Sequence, residues 1–189
     1  MKTEATRQSC SFRLFAGFAA RVAGIGFAIR AALFQHSAEI DGIAIHGSRP
    51  FCEAVESALR RLAADAPEAF SLCKEFIETV VMSRHSGVMA KRRPAIVLLG
   101  DWVTRVSPPY LASTVVHEAY HCKLYWSHHD GEGKPVPVDV YSGEAAERQC
   151  LEYQTSVLKQ RGGTETELRH LREGMATEWW KVPWHERAW

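Results

Sequence analysis

The chain has 189 residues, a length that suits one hydrophobic core, since single domains commonly organise about 100–200 residues. Hydrophobic residues make up 46% and charged residues 24% of it, a globular composition that excludes an intrinsically disordered polymer. Lys and Arg number 23 against 22 Asp and Glu, so there is no basic field to recruit nucleic acid and no acidic excess to recruit a basic substrate.

The N-terminal stretch, residues 12–34, is rich in Phe, Ala, Gly, Ile and Leu, but Arg13, Arg21 and Arg30 cut it into short apolar runs. None of these runs crosses about 30 Å of hydrocarbon. Arg21 also interrupts the apolar centre that a secretory signal needs. Three readings stay open: an amphipathic helix on a membrane surface through residues 11–35, an Arg-rich transit-like presequence, or a helix packed on the domain. Residues 1–37 therefore form one segment and residues 38–189 a single domain.

In that domain residues 40–46 read as a short strand, closed by Gly47, Ser48 and Arg49. Pro50 opens a helix in which Phe51, Val55, Leu59 and Leu62 form one apolar stripe, and Ala66-Pro67 ends it. Residues 68–83 predict a helix that turns into a strand near Glu78. Residues 84–94 are polar and turn-rich, and Ala95–Leu99 is the clearest strand in the chain. Ser107 is a good N-cap, and Pro108 and Pro109 fit a first helical turn, where no backbone donor is needed. That helix is expected to reach about Trp126. Gly131, Gly133, Pro135 and Pro137 then mark a loop over residues 127–141. Ser142 is expected to cap a helix over residues 143–159, stopped by Gly162 and Gly163. Thr164 and Glu167 have the spacing of a capping box for a last helix through about Ala176. The aromatic tail, residues 179–189, either packs over the domain or forms a docking surface.

The chemistry concentrates in His117-Glu118-Ala119-Tyr120-His121. On a helix the two histidines stand one turn apart, so both imidazoles reach one metal ion from the same face. Glu118 lies beside that face, where a carboxylate reaches a water on the metal without being a ligand. A third protein ligand leaves the fourth position for water, and residues 142–154 offer Glu144 and Glu147, one turn apart on a second helix. Glu147 is the choice. With Glu147 facing the metal, Cys150, Leu151, Gln154 and Leu158 follow along the inner face, and Glu144 falls in the fraying first turn.

An H-E-x-x-H helix followed by an acidic second helix resembles the gluzincin metallopeptidases, the thermolysin-like branch of the zincins. The resemblance covers residues 75–160. It implies an α+β, zincin-like fold, mostly helical, with a small mixed β-sheet beside the H-E-x-x-H helix. It also implies zinc (Zn2+) held by His117, His121 and Glu147, with Glu118 as general base for hydrolysis of a peptide or protein substrate. Ala95–Leu99 would be the edge strand beside the site. Many gluzincins support a histidine through an Asp four residues after the ligand Glu. Here Leu151 stands there, leaving Gln154 or Glu144 to supply the support. Tyr141, His128 and His129 are the candidate oxyanion donors, the two histidines being placed in the loop. His46 and His85 flank strands and read as structural or exposed, with His85-Ser86-Gly87 also placed to border the cleft.

The five cysteines show no C-x-x-C pair, which points to reduced thiols and a cytoplasmic location, with membrane association kept open. Cys73, Cys122 and Cys150 fall on apolar helix faces and read as inert core residues. The alternative to a peptidase is a catalytically silent zinc-binding module of the same fold, anchored at a membrane by its first segment. The oligomeric state has no signature.

Overall fold

The computed structural model describes residues 36–132, 135–177, 180 and 182. The chain divides into two units, Met1–Gln35 and His36–Trp189, and only the second is described. The readings of residues 1–35 lie outside the described residues, as do most of those of the aromatic tail. Among the described residues no helix is long and apolar enough to cross a membrane.

The domain is α+β and mostly helical, with one mixed five-stranded sheet. It opens with a hairpin, β1 (His36–Ile40) and β2 (Ile43–Gly47), where a single strand over residues 40–46 was expected. The difference lies in the turn: Asp41 and Gly42 take φ of 48° and 90°, the paired left-handed conformation that closes a two-residue hairpin. Helix α1 (Arg49–Asp65) follows, with Ser48 Oγ accepting the Phe51 N–H at 3.4 Å and with Phe51, Val55, Leu59 and Leu62 fully buried as their spacing predicts. Ala66 ends α1, and Pro67 opens α2 (Pro67–Phe76). The chain then passes directly into β3 (Ile77–Met82), within a residue of the predicted switch.

Strand β3 pairs in parallel with β2 and with β5 (Ala95–Leu99), and the two-residue β4 (Gly87–Val88) pairs antiparallel with β5. The strand order is β1-β2-β3-β5-β4. Ala95–Leu99 is therefore interior to the sheet, and the edge beside the site is β4, inside the segment read as turns. A 3-10 turn, Asp101–Arg105, leads to α3 (Pro108–Glu132). Ser107 caps α3, its Oγ accepting the Tyr110 N–H at 3.2 Å.

Helix α3 is buried almost all round from Leu111 to Cys122, which makes it the central helix of the domain. It packs on α1, α2 and α5 and touches β4 and β5. It also outruns its expected end at Trp126, so His128 and His129 are helical. Side chains hold the extra turns: Arg93 bonds Asp130 at 3.0 Å, and Tyr125 packs its ring against those of Trp126, His129 and Tyr141. A short helix, α4 (Val138–Ser142), occupies the end of the predicted loop. Helix α5 (Glu144–Gln160) is capped by Gly143 and not by Ser142, because Ser142 belongs to α4.

Helix α5 stops at a Schellman turn, in which Gly163 N–H bonds the Leu158 carbonyl at 2.9 Å and Gly162 takes φ of 73°. The capping box of α6 (Glu165–Ala176) forms as its spacing predicts. Glu167 does more than cap. Its Oε1 accepts the Ser107 hydroxyl at 2.5 Å, tying the start of α6 to the start of α3. Partial burial pushes the Glu167 carboxyl up, but hydrogen bonds from Ser107 and Thr164 outweigh this and hold it below its usual range.

A carboxyl lowered in the folded state stabilises above its unfolded pKa of about 4.3, and that stability is lost as pH falls through the folded value. Glu167→Gln is expected to cost stability at neutral pH, with the gap to wild type closing at pH values below about 4. Urea denaturation at neutral and acid pH measures it; a pH-independent gap would mean that the carboxylate form contributes nothing special.

Candidate metal centre

Two donors are set by helical spacing. His117 and His121 stand one turn apart on α3, and their Nε2 atoms lie 2.9 Å apart. The third comes from the first turns of α5, where Glu147 N–H bonds the Gly143 carbonyl at 2.9 Å and a carboxylate suits the helix dipole. Its Oε2 lies 3.4 Å from His117 Nε2 and 3.3 Å from His121 Nε2. Cys150, one turn farther along α5, brings a thiol to the same place. The donor atoms of His117, His121 and Cys150 fall within 4.8 Å of one another, and this buried His-His-Cys group can hold a metal ion.

The hydrogen bonding around the cluster suits a metal ion. His121 Nδ1 lies 2.7 Å from the Tyr141 carbonyl oxygen. A carbonyl only accepts, so Nδ1 donates and the neutral ring keeps its lone pair on Nε2, facing Glu147 and His117. Glu147 Oε2 and His117 Nδ1 are buried with no hydrogen-bond partner among the described residues. Unpaired buried polar atoms are costly, by roughly 1–3 kcal/mol each. A cation between the two Nε2 atoms and Oε2 would give the carboxylate oxygen its missing partner. With bonds of about 2.0–2.2 Å, tetrahedral donors stand roughly 3.3–3.6 Å apart. The two Glu147 distances match this separation, and the histidine pair is slightly closer.

Exposure is 6% at both histidines, 2% at Glu147 and 0% at Cys150, so solvent screens the group little. Burial alone would lower the His121 pKa, but Cys150 and Glu147 beside it outweigh that and hold the imidazole well above its usual value. Burial alone would raise Glu147, yet the two histidines bring its carboxyl down to about 2. Burial pushes the Cys150 thiol up, against the opposing pull of His121. In the absence of metal the cluster thus balances a buried carboxylate with a proton on imidazole, and a metal would displace that proton.

The centre forms the floor of a cleft of about 840 Å³ that runs from Ser86, Gly87 and Val88 at the sheet edge to α6. Glu118, 8% exposed, lines it beside the histidines. Tyr141 also lines it, whereas His85, His128 and His129 are not among its lining residues. Glu144 lies outside, half-exposed and paired with Arg148 at 2.9 Å. Trp102 Nε1 donates to Ser86 Oγ at 3.1 Å, fastening the segment before β4 to the 3-10 turn.

Neither residue expected to support a histidine does so. Glu144 faces Arg148, and Gln154 Nε2 donates to Thr114 Oγ1 at 3.3 Å and Ser113 Oγ at 3.4 Å. The support for His121 is a backbone carbonyl left open at the last turn of α4, which no side-chain pattern signals. Cys150 is also reassigned: it is buried as expected, but against imidazole as well as apolar atoms. Tyr110 and His170, on opposite sides of the α3–α6 contact, line the cleft and had no sequence signal. No protein-family model, curated protein or solved structure matches the chain.

A divalent transition ion should raise the melting temperature, since a ligand at about 1,000 times its Kd adds about 4 kcal/mol. His117→Ala should abolish that shift in a thermal scan with and without chelator; a shift that survives would place the ion elsewhere. A second test bears on the carbonyl. A Cβ at position 143 would stand 2.8 Å from Asp139 Cα and 3.0 Å from its carbonyl oxygen, both backbone atoms. Gly143→Ala must therefore move α4 against α5 and disturb the Tyr141–His121 bond. Its metal affinity, measured by competition with a chromophoric chelator, should fall about 10–100-fold. Unchanged affinity would show the carbonyl to be dispensable.

Proposed function

We propose that the protein is a zinc-dependent metallopeptidase with a zincin-like, gluzincin-type fold. The observation that carries this reading is the position of Glu147 Oε2, 3.3 Å and 3.4 Å from the two Nε2 atoms of an H-E-x-x-H helix at the floor of an open cleft. Imidazole, carboxylate and thiol donors suit zinc better than a hard oxygen-seeking cation. His117, His121 and Glu147 would hold it. Bound there, zinc would supply Lewis-acid polarisation of a carbonyl and a lowered pKa for water.

The chain's own residues do the rest. Glu118 takes the proton of the attacking water on a carboxylate oxygen and returns it to the departing amide nitrogen. The Tyr141 carbonyl holds His121 in the tautomer that presents Nε2. Strand β4, which has no outer neighbour among the described residues, borders the cleft and offers backbone groups to which an extended peptide can add as a strand. Trp102, Val106, Leu151 and Leu171 give the cleft apolar walls, which favour apolar substrate side chains and exclude water from the proton transfer. Tyr110, Tyr141 and His170 are the hydrogen-bonding groups at hand for an oxyanion.

A second reading, a catalytically silent zinc module, is favoured by one observation, the thiol of Cys150 beside the histidines. Glu118 at the cleft floor favours the enzyme, since a purely structural site has no use for a base. Zinc content and cleavage of a broad peptide library separate the two. Glu118→Gln should keep its zinc and lose about 10²–10⁴-fold in cleavage rate. Glu147→Ala should lose zinc, and Glu144→Ala, which only breaks a surface pair with Arg148, should lose neither. Zinc retained by wild type without Glu118-dependent cleavage of any peptide would establish the silent module.

A further inference from the structure

Cys150 is a buried nucleophilic group at the centre that the proposed chemistry does not use. We propose that Cys150 is a fourth protein donor to the metal, so that the centre rests in a closed His117-His121-Glu147-Cys150 form with no position for water. This inference rests on the reading that the site binds a zinc-like ion, and it adds a four-donor resting state to it.

Three observations carry the proposal. Cys150 follows Glu147 by three residues on α5, so both side chains share one face of that helix. Its sulfur lies within 4.8 Å of a donor nitrogen of each histidine. In a tetrahedral zinc shell sulfur and nitrogen stand roughly 3.6 Å apart, so a movement of about 1 Å brings the thiol into the shell. The behaviour of Cys52 is a useful contrast: its thiol sits in the core and faces the carbonyl oxygens of His36 and Ile45 at 3.6 Å and 4.0 Å.

The third observation is electrostatic. All four residues are at most 6% exposed. Burial disfavours a free thiolate unless a cation takes it, and an ion held between the two imidazoles and Glu147 would be such a cation. The exchange is balanced: the Cys150 S–H bond would break, its proton would be released to solvent, and the sulfur lone pair would take the metal. Sulfur also biases the centre toward zinc, cobalt or cadmium and away from magnesium or calcium.

The test uses the full chain loaded with one equivalent of Co2+ or Zn2+. Wild type with cobalt should show sulfur-to-cobalt charge-transfer absorption in the near ultraviolet. Cys150→Ala should lose that band, still bind one cobalt, and bind it at least about tenfold more weakly. X-ray absorption at the zinc edge of the wild-type protein should show one sulfur at about 2.3 Å, which keeps the test decisive if Cys150→Ala does not fold. A sulfur-free zinc shell in wild type, or a cobalt band that persists in Cys150→Ala, overturns the proposal. Peptide cleavage is read separately. A sulfur-free centre that cleaves peptides sinks the Cys150 inference alone. A sulfur-bound centre that never cleaves, in wild type or in Cys150→Ala, upholds it and sinks the peptidase reading. Failure to bind either ion overturns both.

Discussion

Across the seam between α3 and α5, two imidazoles, a carboxylate and a thiol face one another with almost no solvent. Such a cluster is tolerable in a protein interior only if its charges cancel and its lone pairs are used. The arrangement around it serves that requirement. Helix α3 runs through the centre of the domain, wrapped by α1, α2 and α5, so the positions of His117 and His121 are fixed by packing on every side. Helix α4 closes over one end and spends an otherwise unpaired carbonyl on His121. The sheet lies to the other side and leaves a short edge at the cleft.

Much of this is legible in the sequence because helical periodicity is a strong signal. The spacing of His117 and His121, the inward face of α5 and the Ser107 and Thr164 caps follow from rules that act within one or two turns. The sheet was less legible. Strand β4 has two residues, too few for any alternation to show, and its existence depends on β5 offering an antiparallel partner. That is why the edge was assigned to Ala95–Leu99, whose apolar run is instead the mark of a strand with a neighbour on each side. The Asp41-Gly42 turn was readable by its residue types, but the strand before it starts at polar His36 and Ser37, which hid the hairpin.

Tertiary contacts explain the remaining differences. The end of α3 is extended by Arg93, which lies 5.5 Å from the rings of both Phe76 and Trp126 and bonds Asp130. No local signal can reveal a partner 37 residues away. Cys150 was hidden for another reason: in sequence a cysteine on an apolar face looks the same whether its sulfur meets leucine or imidazole. The Tyr141 carbonyl was hidden because backbone groups leave no trace in residue identity.

The division of donors between two helices ties metal binding to the stability of the fold. A cation held between α3 and α5 would act as a cross-link, so its binding free energy would also be folding free energy for this seam. The donors sit in the buried middle of α3 and in the first turns of α5, so any shift of one helix against the other changes the 3.3 Å and 3.4 Å separations between Glu147 and the imidazoles.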